Sequence, residues 1–254
     1  MKRALGLTAV GLVLLLFGVS TLPARLLPAL LPSELVRLSG VSGSLLHGHA
    51  ARAQVSTGAG MLHLGTVNWE FHPRSLLALA PRISLNSDWG AQRGSASLEW
   101  RPGRVVVRNL DANVDARLLR TLAPLAVEGR VSLQFQNLVL RDGLPAEAEG
   151  RIVLQDARWN APQVDHTLGS YVAEIEGDAR EELRARLDTI SGPVPARGSI
   201  TLADTRYELD IQIGDADTRL ATEIARALEL FATPTEDGYL LRLGGNLIIG
   251  PPPS

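Results

Sequence analysis

Two cations, Lys2 and Arg3, are followed by an uncharged and mostly apolar run from Ala4 to Leu22. A helix of about twenty apolar residues matches the hydrocarbon thickness of a bilayer, and flanking cations stay on the cytoplasmic side. Residues 1–22 are therefore expected to form a membrane segment with a cytoplasmic N-terminus and an exported remainder. Two fates fit this segment: retention as an anchor, or removal as a signal peptide after the small-x-small site Gly18-Val19-Ser20. Three prolines, Pro23, Pro28 and Pro32, then interrupt the apolar texture, so residues 23–40 are expected to form a juxtamembrane connector. Within it, Ser33 and Glu34 can start a short helix through Leu38, with Leu35 and Leu38 on one side, before Gly40 and Gly43 break it.

From Val41 the pattern changes to short runs in which apolar side chains fall at every second position, the spacing of strands with one covered and one wet face. Six runs share a loose glycine opening: Gly43-Ser-Leu, Gly65-Thr-Val, Gly94-Ser-Ala, Gly129-Arg-Val, Gly150-Arg-Ile and Gly198-Ser-Ile. Their irregular spacing argues against a solenoid. Helical spacing appears at Arg74 to Ala80, Ala116 to Ala123 and Asp217 to Phe231. In the last, Leu220, Ile224, Leu228 and Phe231 share a stripe, which predicts a helix packed on the apolar sheet face. Tyr239 to Leu243 and Asn246 to Ile249, joined by Gly244-Gly245, read as a closing hairpin. The expected fold is mainly β: a transmembrane helix, then one curved, mostly antiparallel sheet domain over residues 41–250, with a few short helices on its apolar face. Residues 251–254 form a proline-rich tail.

Charge and composition then remove whole classes of chemistry. The net charge of −2, from 25 basic and 27 acidic residues, gives no broad attraction for nucleic acid or for anionic lipid. Lys2 is the only lysine, which excludes Schiff-base and phosphate-loop lysines from the exported part, and the absence of cysteine excludes thiol nucleophiles, disulfides and thiolate metal sites. His47 and His49 lie two apart in an expected strand, but no His-Glu-x-x-His or third ligand completes a metal site. Asp111-Ala-Asn113-Val-Asp115 starts like a calcium loop, yet Ala116 and Leu122 stand where glycine and glutamate are required; it reads as the turn and cap of the following helix. Ser42 misses the nucleophile-elbow spacing by one residue, and Gly58-Ala-Gly60 is too short for a dinucleotide fingerprint. The paired carboxylates Glu147 and Glu149, Glu174 and Glu176, Asp215 and Asp217 fit a solvated strand face, with no histidine beside them. No catalytic residue, metal or cofactor is expected. Trp69, Trp100 and Trp159 fall near strand ends, where a ring closes an apolar edge; they are also the candidate partner-facing or lipid-facing residues.

In this order the elements resemble the type II secretion system protein N family. Gly43-Ser-Leu-Leu-His-Gly48 matches its early strand entry, although Leu46 stands where tryptophan is usual. Gly65-Thr-Val-Asn-Trp69-Glu-Phe-His-Pro73-Arg-Ser-Leu76-Leu77 matches its tryptophan, proline and leucine pair. Ser191-Gly-Pro-Val, Gly198-Ser-Ile-Thr-Leu202, Tyr207-Glu-Leu, the helix to Phe231 and Asp237-Gly-Tyr239 are similar as well. The resemblance implies a retained anchor, a periplasmic domain and a non-enzymatic accessory role at the inner membrane. Its implied partners are other secretion-machine proteins, the inner-membrane platform and the outer-membrane secretin. The family is also similar in texture to β-rich envelope proteins that hold lipid, so a lipid-handling groove is the alternative.

Overall fold

A computed structural model of the chain describes residues 22–32, 34–57, 60–116, 127–161, 164–178, 182–215 and 220–246. It divides into two compact units, residues 1–101 and 102–254.

Unit 1 contains β1 (Val36–Gly43), β2 (His47–Thr57), β3 (Gly60–His72), β4 (Arg82–Trp89) and β5 (Gln92–Arg101). They pair antiparallel in chain order. Ahead of them, the helical turns Ala24–Leu26 and Leu27–Leu30 lay Ala24 against Ala50 and Trp69. Leu27, Leu38, Val41, Ile83 and Leu85 pack around these three. The indole Nε1–H of Trp69 donates to the Leu45 carbonyl at 3.1 Å, which satisfies the one polar atom of the ring. The turn Pro73–Ala78 joins β3 to β4 as a 3-10 helix.

Unit 2 contains β6 (Arg104–Asp115), β7 (Val127–Arg141), β8 (Leu144–Ala161), β9 (Val164–Gly177), β10 (Leu183–Ser191), β11 (Ala196–Ala203) and β12 (Arg206–Ile213). After them come helix α1 (Thr222–Leu228), β13 (Thr233–Thr235) and β14 (Gly238–Asn246). Pairing is again antiparallel and follows chain order, except that β14 lies on β12 and the three-residue β13 lies outside β14. Asp142 and Gly143, both at positive φ, close the β7–β8 hairpin with a two-residue turn.

Several expectations change in the folded chain. The helix expected through Leu38 is strand: Val36 to Ser39 pair with Val55 to Arg52, and burial alternates along them. The Leu35/Leu38 spacing fits a helix, but Val36/Leu38 alternation with a waiting partner strand prevails. The six glycines do not open strands but lie in them or, for Gly43, end one. Gly150, inside β8, shows why: a side chain there would strike the Phe135 ring and the Gln134 carbonyl. Asp111 to Asp115 are the end of β6, not a turn, and Ser132 donates its hydroxyl to Asn113 across the pair at 2.6 Å.

No turn forms at Gly244-Gly245, because β14 runs straight through both, paired to Glu208 and Tyr207. A Cβ on Gly245 would meet the Tyr207 ring at about 3 Å, so the glycine admits that ring; the hairpin instead turns at Glu236-Asp237. Helix α1 is shorter than its pattern: it starts at Thr222, and Leu230 and Phe231 are 77% and 69% exposed beyond its end. Of the predicted stripe only Ile224 is buried. The helix expected over Arg74 to Ala80 is 3-10 rather than α and ends at Ala78, while residues 117–126, with most of the expected 116–123 helix, lie outside the described residues. Residues 1–21 do too. No helix among the described residues is long and apolar enough to cross a membrane.

Candidate functional site

Strand alternation in unit 2 sorts side chains into rows that cross the sheet. One row reads Leu110, Phe135, Gly150, Ile175, Ala185, Ile200, Leu209, Leu243, each residue the register partner of the next across β6 to β12 and β14. The next, Ala112, Leu133, Ile152, Ala173, Leu187, Gly198, Ile211, Leu241, is also wholly apolar. Phe135, Ala148 and Leu183 are buried in the cluster these rows feed, whereas Ile152, Ile175 and Leu202 are only partly buried. A two-residue period produces this continuity: one apolar position placed in register on each strand makes a stripe perpendicular to all of them.

The opposite face carries the complementary row, Asp111, Gln134, Arg151, Glu174, Arg186, Ser199, Asp210, Arg242. Charges alternate along it, as cross-strand pairing favours. Arg151 Nε donates to Gln134 Oε1 at 2.7 Å, and Arg242 Nε to Asp210 Oδ2 at 2.9 Å. Around Gln134, Glu149, Arg151, Glu174, Glu176 and Arg186 this face forms a concavity of about 1090 Å³. Glu149, Glu174 and Glu176, from two of the pairs singled out by spacing, therefore sit on a solvated, arginine-studded face, while Asp217 lies outside the described residues. Glu149 and Glu176 are direct partners there, with Arg184 next in line.

The three candidate tryptophans separate. Trp69 is buried in the core of unit 1, so it packs rather than presents. Trp100 is 43% exposed at the end of β5. Trp159 is half-buried in β8 and stacks on its register partner His166 at 6.4 Å between ring centroids. His166 Nε2 lies 3.3 Å from Glu223 Oε2 and ties the start of α1 to β9. Glu223, accepting from its own backbone N–H and facing His166, is held below the ordinary carboxylate range. His47 faces Glu70 at 3.6 Å, and His49 Nδ1 lies 2.7 Å from Ser42 Oγ, so the two spaced histidines have different neighbours. Among the described residues no three His, Cys, Asp or Glu side chains converge as metal ligands.

Two features had no signal in residue spacing. Glu99 is 1% exposed and accepts from Arg82 at 2.7 Å and Arg101 at 2.6 Å; these two guanidiniums hold its carboxyl below its ordinary value despite burial. Tyr171 places its hydroxyl 3.0 Å from the Leu168 carbonyl and 2.7 Å from that of Val194, and burial pushes its pKa up to about 12. Neither is recognisable before the strands are in register, because Arg82 reaches Glu99 from β4 and Val194 reaches Tyr171 from the loop after β10.

Fold and faces define the class: an antiparallel β-protein whose two sheet faces differ in chemistry, one striped with aliphatic side chains and the other with charge. Comparison with known proteins places it within that class. The chain belongs to the type II secretion system protein N family, whose profile matches residues 34–242. Type II secretion system protein N of Aeromonas hydrophila is 34% identical over 236 residues, 90% of each chain. No solved structure matches significantly. Membership makes it a type II secretion component.

Proposed function

We propose that the chain is a non-enzymatic, single-pass accessory component of the type II secretion system at the inner membrane. Residues 1–22 anchor it with the N-terminus in the cytoplasm, and the strand-rich remainder stands in the periplasm. It supports export of folded proteins across the outer membrane by contacting other machine subunits, in the platform of the inner membrane and in the outer-membrane secretin. The observation that carries this reading is the family match over residues 34–242, directly behind a cation-flanked apolar run. Pull-down of the full chain from membranes is expected to recover platform or secretin subunits, and its deletion to lower export. Recovery of none, with export unchanged in the deletion strain, refutes the proposal.

One observation favours a second reading, in which the sheet holds lipid. The two apolar rows of unit 2 cross eight strands, yet Ile175, Ile200 and Leu209 in them stay partly exposed. A photo-crosslinking residue at Ile200 or Leu209 in the full chain is expected to capture phospholipid in cells; capture of protein only, at both positions, rejects it.

A further inference from the structure

We propose that unit 1 carries a membrane-docking knob: the turn 73–81, with Trp100 beside it, seats in the headgroup region of an anionic phospholipid bilayer. The inference rests on residues 1–22 being an anchor and adds a second contact that orients unit 1 on the membrane.

Exposure is the first observation. Leu77 is 81% exposed and Leu79 85%, with Leu76 and Trp100 at 40% and 43%. Single exposed leucines are ordinary, but four large apolar side chains at one end of a strand array form a patch. The turn is also clamped in that shape. Ser75 Oγ donates to the His72 carbonyl at 2.6 Å and accepts from the Arg82 N–H at 2.8 Å, which ties the two ends of the turn together. Leu79, at φ +52°, donates its N–H to the Leu76 carbonyl, and Ala80 donates to that of Ser75. Trp100 is joined to the turn by its N–H, which donates to the Pro81 carbonyl at 3.0 Å. The leucines are held outward.

Charge selects the partner. Arg74 is exposed within the turn, and Arg82 and Arg101, each nearly half exposed, flank the patch. Glu99, buried between them, balances one of their two charges, so with Arg74 the rim keeps a net excess of cation that is partly in water. Glu70, the other carboxylate at this end, faces His47. Leucine and tryptophan inside an arginine rim suit an interface where acyl chains meet anionic phosphates. Position agrees with charge. By register, β1, β3 and β5 end and β2 and β4 begin on the side of the turn. The chain enters unit 1 there too: Pro23 bridges to Ser44, and the Leu22 carbonyl accepts from the Leu45 N–H at 3.0 Å. The apolar run Ala4 to Leu22 therefore joins unit 1 at the end that carries the knob.

The test uses the full chain, which contains no cysteine, with a single environment-sensitive fluorophore on Leu77→Cys, Leu79→Cys or, at the opposite end, Ala91→Cys. Each protein is reconstituted with vesicles of phosphatidylglycerol and phosphatidylethanolamine, or of phosphatidylcholine, that contain shallow lipid-borne quenchers. Quenching several-fold stronger at positions 77 and 79 than at 91, and stronger on the anionic vesicles, is expected. Arg74→Gln lowers the ratio of docked to free knob about fivefold on anionic vesicles, the weight of one cation near such a surface. Equal quenching at 77, 79 and 91 overturns the proposal, and equal quenching on both lipid compositions overturns the anionic assignment. Labels that stay unquenched but cross-link to a protein in cells replace the bilayer with a protein groove. Flotation of the same samples reports the anchor and quenching reports the knob, so the two readings fail separately.

Discussion

Replacing Glu99 by glutamine keeps the shape of the side chain and removes its charge from between Arg82 and Arg101. Of the two short bonds, at 2.7 and 2.6 Å, one keeps a neutral amide oxygen as acceptor and the other is lost, because the amide NH2 is itself a donor facing a guanidinium. A bond to a charged group contributes about 1.5–3 kcal/mol and a neutral one about 0.5–1.5, so one conversion and one loss cost about 2.5–4.5 kcal/mol in a dry site. Both guanidiniums are partly in water, at 46% and 40% exposure, which reduces the loss to about 1–2 kcal/mol. Acid should erase the difference. The folded carboxyl titrates below its ordinary value of 4.5, so its contribution is complete above that value and disappears as pH falls through the lower folded one. Urea unfolding followed by tryptophan fluorescence is suited to the measurement, because Trp69, Trp89 and Trp100 of the four tryptophans lie in unit 1. At pH 7 the midpoint of Glu99→Gln should fall by about 0.5–1 M, and the gap between the two proteins should narrow as pH falls below the ordinary carboxylate range. A variant as stable as the parent at pH 7, or one that loses as much stability on acidification, refutes the account of Glu99 as an ionised buried acceptor.

Trp69→Ala removes the ring that packs on Ala24 and Ala50 and should cost unit 1 about 3–5 kcal/mol by the same unfolding assay, whereas an interface residue would cost little. Gly150→Ala should destabilise by about 1–3 kcal/mol, since the Phe135 ring and Gln134 carbonyl must move; calorimetry of the full chain measures it. Tyr171→Phe removes the hydroxyl donor from the Val194 carbonyl and leaves the Leu168 carbonyl with the Val194 N–H, at about 1–2 kcal/mol, and should speed amide exchange around Val194. Because folding raises the Tyr171 pKa from 10.0 to about 12, the parent should lose stability as pH rises between those values, and the phenylalanine variant should lack that share of the loss.

Alternation made the strands of both units legible, and it also put Glu174 and Glu176 on one solvated face of their strand, while register adds Glu149 and Arg151 to that face. What it could not supply was the neighbour. Leu35 to Leu38 fits a helix until Val55 to Arg52 are laid beside it, and Gly244-Gly245 reads as a turn until Tyr207 occupies the space above Gly245. Both errors have one cause: local spacing leaves a glycine or a leucine pair ambiguous, and cross-strand packing decides. The candidate surfaces were hidden for the same reason. Trp69 and Trp100 look alike as strand-end aromatics, yet the helical turns at 24–30 cover the first and leave the second exposed. Glu99 resembles any strand glutamate until Arg82, its partner on β4, and Arg101 converge on it.

At the far margin of unit 2, β13 is only Thr233-Pro234-Thr235, with Pro234 opposite Tyr239 of β14. A proline there cannot donate to a further strand, and three residues offer too short a template for one. Beside Gly238 to Leu240 the margin is thus blunted, and a strand from a second copy is disfavoured from adding to the sheet along that stretch.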